Sequence, residues 1–324
     1  MNSTEIQNNR TDSDILAEME SLRKEAQTVK RLSRILFVLF PIFFLWVFFS
    51  GSIFMLGFNT FFIIAVGLMG VYAVFQMWHT YLLKKYKSYA GSFKSIVVKT
   101  ELEKVFENLI YEPDSGWPIS VIQSLGLFKS FNVYITNDLI KAKYKNVSFE
   151  QADIKIIDER EERYTDSNGN RRTRKVQTIH FSGRMIKFNY DSYFPSDLRI
   201  VGKYFSGVSP SKWESIDTAS IDFNKFFHSS ASNIPASLMI LKPQLIIKIL
   251  DFYEWFGKSF VFYFKDNNLF VFLPGNEAFE LLINKDLETQ RKMVLKDVNL
   301  LVKCLDVTVD IADDYIDSAI MVKK

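Results

Sequence analysis

The sequence is short of the residues that most enzymes and metal proteins rely on. It holds one cysteine, Cys304, and three histidines, His79, His180 and His228, in 324 residues. A single cysteine excludes an intramolecular disulfide and suits a reducing compartment. Its place between Val302 and Leu305 on a helical pattern reads as a buried, inert thiol. No pair among the histidines and Cys304 stands at metal-ligand spacing. His180, between Ile179 and Phe181, is expected to face solvent across its strand. There is no G-x-S-x-G, no phosphate-binding P-loop and no dinucleotide fingerprint. No catalytic residue, metal or cofactor is therefore assigned. Asp310, Asp313, Asp314 and Asp317 lack the register and turn glycine of a Ca²⁺ loop and read as a solvated face. A net charge of +3 is too small for a nucleic-acid binder. Internal repeats and low-complexity segments are missing too.

The longest absence is of charge. From Ile35 to Leu83, 49 residues, there is no Asp, Glu, Lys or Arg. About 20 apolar residues cross a bilayer as a helix, so the run predicts two crossings and a short turn. The first is placed at Ile35 to Leu56 and the second at Phe61 to Leu83, with the turn at Gly57, Phe58, Asn59 and Thr60. Lys30, Arg31 and Arg34 precede the run; Lys84, Lys85 and Lys87 follow it. Basic flanks stay cytoplasmic, so both termini are expected inside. A cleaved signal peptide is disfavoured, because six acids precede the run and no small-residue cleavage site follows it.

Three regions result: a polar tail and amphipathic helix over 1–34, the hairpin over 35–83, and a cytosolic α+β domain over 84–324, with lobes at 90–215 and 216–324. In the first, Ile15, Met19, Leu22, Ala26 and Val29 follow a 4-3-4-3 spacing. That seam suits packing on the protein's own domain, or self-association into a homo-oligomer.

In the third region a helix is predicted from Phe93 to Ile110, ended by Pro113 and Gly116. Ile119 to Leu125 suits a short second helix. Leu139 to Tyr144 and Ile154 to Glu159 alternate as strands. A charged ribbon turns at Asn168-Gly169, which supplies the positive φ of a hairpin. Strands are expected at Val176 to Phe181, Met185 to Tyr190 and Leu198 to Phe205, as an antiparallel meander. Phe223 to Phe227 is short and aromatic. A helix starts at Pro243 and stops at Gly257. Phe260 to Phe264 and Leu269 to Leu273 are continuously apolar, a hairpin buried on both faces. Leu287 to Leu305 is helical, with Val294, Val298, Leu301 and Leu305 inward.

One basic cluster stands out: Arg171, Arg172, Arg174 and Lys175. Asp158, Glu159, Glu161 and Glu162 lie on the partner strand, so cross-strand pairing accounts for it. Contact with anionic lipid headgroups is the functional alternative.

The chain resembles a family of bacterial membrane proteins known only as a domain of unknown function. The resemblance is carried by Tyr111-Glu112-Pro113, by ITNDLIKAKYKNVSFEQADI from Ile135, by HFSGRMIKF from His180, by FNKFF from Phe223 with Asp222 before it, and by Ala236 to Pro243. Ala142 stands where the family commonly has glycine. The resemblance implies an N-terminal helix, a two-helix membrane hairpin and a cytosolic α+β domain in a bacterial inner membrane. It carries over no activity. Some members are met beside genes for LemA-type membrane proteins, so the resemblance implies an envelope-associated partner as one expectation. The expected function is a membrane-anchored, non-enzymatic protein whose cytosolic domain binds a protein partner or the membrane surface. A membrane-tethered enzyme and an anionic headgroup-binding module are the alternatives.

Overall fold

The computed structural model describes residues 58–167, 169–282 and 285–322, with further positions between 17 and 42. The chain divides into two compact units, Met1–Val97 with Leu281–Lys292, and Val98–Glu280 with Met293–Lys324.

In the first unit the described positions between 17 and 42 are helical. Of the predicted seam, Met19 is buried; Ile15, Leu22, Ala26 and Val29 lie outside the described residues. Arg23 grips Glu20 with Nε at 2.8 Å and Nη2 at 2.5 Å. Its Nη1 donates to the Lys285 carbonyl at 3.2 Å, which Gln290 Nε2 also meets at 3.0 Å. This is packing on the protein's own 281–292 segment. A second helix runs from Phe58 to Phe93, so Phe58, Asn59 and Thr60 are helical and not a turn. Most of the predicted first span lies outside the described residues. Among those described, no helix is long and apolar enough to cross a membrane.

The Phe58–Phe93 helix passes into a π-helical turn at Lys94–Val98 and a short helix at Lys99–Glu103. The helix expected to continue to Ile110 ends there, and Glu107–Glu112 forms strand β1. Pairing with the neighbouring strand, Glu112 against Leu139, overrides the helical periodicity. Asn108 takes φ +52° at the irregularity in that pairing.

The second unit is built on one nine-stranded sheet in the order β1-β2-β3-β4-β9-β8-β5-β7-β6, with every pair antiparallel. The strands are β2 Val133–Tyr144, β3 Val147–Thr165, β4 Arg171–Asn189, β5 Leu198–Gly202, β6 Glu214–Ile216, β7 Phe227–Ala231, β8 Val261–Lys265 and β9 Asn268–Pro274. The segments 176–181 and 185–190, expected as two strands, belong to one, β4. It runs through Gly183, whose φ of +153° suits glycine and whose missing Cβ clears the Leu273 carbonyl and the Pro274 backbone. The β8–β9 hairpin is buried along both faces, as the unbroken apolar runs require. Phe223 to Phe227 divides between a helix, Ile221–Phe226, and the start of β7.

One face of the sheet carries a core of Ala152, Ile154, Ile156, Met185, Tyr263 and Phe272 beneath Trp117 and the Ile119–Leu125 helix. That helix stops at Gly126, φ +55°. Arg199 Nη2 bonds the terminal carbonyls of Leu125 and Gly126, both at 3.2 Å. Its guanidinium lies 4.7 Å from the Trp213 ring and 4.8 Å from Tyr263, a cation capping a negative helix end. Behind the opposite face, the Leu287–Val322 helix docks through Val294, Val298, Leu301 and the buried Cys304. Burial pushes the Cys304 thiol far up and keeps it protonated. The Pro243–Phe256 helix begins on its proline and ends at Gly257, φ +69°.

Candidate functional site

Three features of the second unit could serve a function: a buried ionic clasp, a projecting arm and a strand-end cleft.

The clasp lies on the face covered by the Leu287–Val322 helix. Asp153 on β3 and Arg184 on β4 are direct cross-strand partners. Both are buried. Arg184 Nη2 pairs with Asp297 Oδ1, and its Nη1 donates to the Asp297 carbonyl at 3.0 Å. The two carboxylates then hold one segment of backbone. Asp153 Oδ2 accepts from the Ala278 amide, and Asp297 Oδ2 accepts from the Phe279 amide at 3.0 Å. Phe279 sits at φ +54°, a costly conformation for a bulky residue. Its ring is buried between Arg184, 5.9 Å away, and Tyr111, edge-on at 6.1 Å. Tyr111 Oη donates to Asp138 Oδ1 at 2.6 Å, and its phenol is held protonated by burial and by Asp138. Burial pushes the Asp153 carboxyl up to about 7, against the opposing pull of Arg184 and of the Ala278 amide. A carboxyl near neutrality can mark an acid–base catalyst. Here it is sealed from solvent, and its work is to hold the Ala278–Phe279 backbone to the sheet.

The arm is the far half of the β3–β4 hairpin. β2 follows β3 only to Ile157, and β9 follows β4 only from Gly183. Beyond them Asp158–Thr165 and Arg171–Thr178 form a two-stranded ribbon, mostly exposed on both faces and about 25 Å long at the rise of a strand. It turns at Gly169, φ +82°; Asn168 lies outside the described residues. The basic cluster sits here, and most of it is paired. Arg172 bonds Asp166 at 2.6 Å, Arg174 bonds Glu162 at 3.0 Å, and Lys175 bonds Glu159 at 3.0 Å. Arg171 has no ion-pair partner among the described residues. Gln177 and Lys175 together hold the Glu159 carboxyl below its ordinary range.

The same hairpin relocates His180. Ile157 pairs with Ile179 and Ile156 with Phe181, so His180 is an extra residue, a β-bulge. The bulge resets the alternation: Ile179 is 52% exposed and His180 only 8%. The histidine expected in solvent is therefore buried, with Nε2 3.1 Å from the Ser130 carbonyl. His228 is exposed. Among the described residues no three His, Cys, Asp or Glu converge as a metal site. Asp310, Asp313, Asp314 and Asp317 fall on the Leu287–Val322 helix, with side chains outside the described residues.

Beside the bulge lies a cleft of about 410 Å³. Its walls are the start of β4 (Ile179 to Ser182), the loop after β5 (Tyr204 to Ser206), the end of the Pro243–Phe256 helix (Tyr253, Gly257 to Ser259) and Pro274. The loop is seated closely: Phe205 stacks on Phe181 at 5.6 Å. Gly207, φ +85°, rests against the His180 carbonyl where a Cβ would collide. A second, smaller cleft of about 270 Å³ is lined by Lys141, Lys143 and Lys187 together with Glu150.

The fold and these features define an α+β chain with a large antiparallel sheet. Residues 179–314 match a family described as "Protein of unknown function (DUF3137)". That agrees with the resemblance to an uncharacterised family, and the matched segment contains the cleft. Among solved structures the chain is similar to the crystal structure of the mycobacterial trehalose monomycolate transport factor A. The identity is 9%, with 67% of this chain and 95% of that chain covered and a TM-score of 0.35. A likeness that loose carries nothing on function. No curated protein matches.

Proposed function

We propose that the chain is a membrane-anchored, non-enzymatic protein whose sheet domain binds a protein partner or the membrane surface, with both termini in the cytoplasm. The observation that carries this reading is the dress of the Phe58–Phe93 helix. Met69, Val71, Tyr72, Val74 and Met77 are all exposed on it. At 100° per residue these positions point to every side of the helix. A helix that is apolar all round needs an apolar surrounding on every side. The charge-free run from Ile35 to Leu83 supports the same reading, with Tyr81 at the interfacial end.

Alkaline carbonate extraction of native membranes tests the anchor. The full chain is expected in the pellet, with reporter fusions at both termini active on the cytoplasmic side. Release into the supernatant would refute it.

A further inference from the structure

We propose that the strand-end cleft beside the β4 bulge is a binding site for a phosphate-bearing small molecule or headgroup. Its lining gathers several hydrogen-bonding side chains in one concavity. The side chains of Ser182, Tyr204, Ser206, Tyr253 and Lys258 line it and have no hydrogen-bond partner among the described residues. In its wall the Ser259 hydroxyl is buried without a partner. A buried hydroxyl left unpaired costs free energy, and the other groups face solvent or are half-buried, free to bond a ligand that enters the cleft.

The charge balance selects the ligand's sign. Lys258 and His180 are the ionisable nitrogen groups of the lining, and no Asp or Glu lines it. The Lys141, Lys143 and Lys187 cleft differs, since Glu150 stands among its lysines and lies 3.9 Å from Lys187. Hydroxyls and an ammonium, all able to donate, are the chemistry that a phosphate group recruits. A volume of about 410 Å³ exceeds what one phosphate fills and falls in the range of small-molecule clefts. Tyr204, 82% exposed at the rim, offers a ring to the uncharged part of such a ligand. The walls are rigid where it matters: the β4 bulge, the Phe205–Phe181 stack and the close seat of Gly207 fix them. Because the cleft lies wholly in the sheet domain, its occupancy does not depend on the anchor.

The test is a titration of the purified full chain in a non-ionic detergent with glycerol 3-phosphate, read by thermal shift and by tyrosine and tryptophan fluorescence. Glycerol and sodium chloride at matched ionic strength are the controls. A saturable shift with glycerol 3-phosphate alone is expected, weakened at least tenfold in Lys258→Gln and severalfold in Ser182→Ala. Both variants should melt like the parent without ligand, because neither side chain bonds a neighbour. Mixed micelles containing phosphatidylglycerol sort the source. Competition at lower concentration than the soluble ester identifies a lipid headgroup; no competition identifies a free phosphate ester. An equal shift with glycerol, an equal shift in Lys258→Gln, or no shift at all would overturn the proposal.

Discussion

Asp153 and Arg184 face each other across β3 and β4, yet each spends its best contact elsewhere: Asp153 on the Ala278 amide, Arg184 on Asp297. The pair is thus the root of a two-pronged hold on the Ala278–Phe279 backbone. Its ionisation ties the stability of the sheet domain to pH.

Asp153 has a folded pKa of about 7, against about 3.9 in an unfolded chain. Between those values the folded protein keeps a proton that the unfolded chain releases. Stability therefore falls as pH rises from about 4 to about 7, by on the order of a few kcal/mol. Asp153→Asn keeps an acceptor for the Ala278 amide and removes the charge. Urea denaturation across this window should lose that slope, and the variant should equal or exceed the parent at pH 8. An unchanged slope would place the titration elsewhere.

Arg184→Met should be among the most damaging single changes. It leaves Asp153 and Asp297 near each other without their shared cation, at a cost of about 3–5 kcal/mol. Adding Asp153→Asn should recover part of the loss in a double-mutant comparison. Strict additivity of the two changes would argue against electrostatic coupling.

Two glycines should respond differently to alanine. Gly126, φ +55°, has open space where its Cβ would go, so Gly126→Ala should cost only about 1 kcal/mol of backbone strain. Gly183, φ +153°, faces the Leu273 carbonyl and Pro274. There the added methyl must shift β9 itself, and the loss should exceed that at Gly126 severalfold. Chemical denaturation of the two variants side by side measures the difference.

On the arm, replacing Arg171, Arg172, Arg174 and Lys175 by glutamine should barely move the melting temperature, since exposed ion pairs contribute little. Vesicle flotation then separates the two roles of the cluster. If pairing with Glu159, Glu162 and Asp166 is all it does, the variant floats with phosphatidylglycerol vesicles as well as the parent. A loss of flotation that mimics high salt would assign it to lipid.

Much of the architecture was legible in local chemistry. Pro243 and Gly257 bracketed a helix, Asn168-Gly169 marked a hairpin, and the unbroken apolar runs after Phe260 announced strands buried on both sides. Two of the failures share one cause, which is strand pairing that the local sequence does not announce. Nothing near Glu107 tells that β2 will claim it as a strand. Nothing near His180 tells that an extra residue will invert the pattern of its neighbours. The clasp left a faint trace in Asp153, a carboxylate set among apolar strand residues. The cleft left none, because Ser182, Tyr204 and Lys258 become neighbours only when β4, the loop after β5 and the end of the Pro243–Phe256 helix meet.

The strand order also sets a timetable for synthesis. β2, β3 and β4 follow one another and can pair as soon as they leave the ribosome. β4 must then wait for β9, with Gly183 meeting Pro274, and β5 must wait for β8. Until some 90 further residues have been made, one long edge of a charged meander stands open. Non-local pairing of this kind folds slowly and exposes strand edges to other chains. The dense charge of the adjoining β3–β4 ribbon is the kind of feature that discourages edge-to-edge pairing between copies.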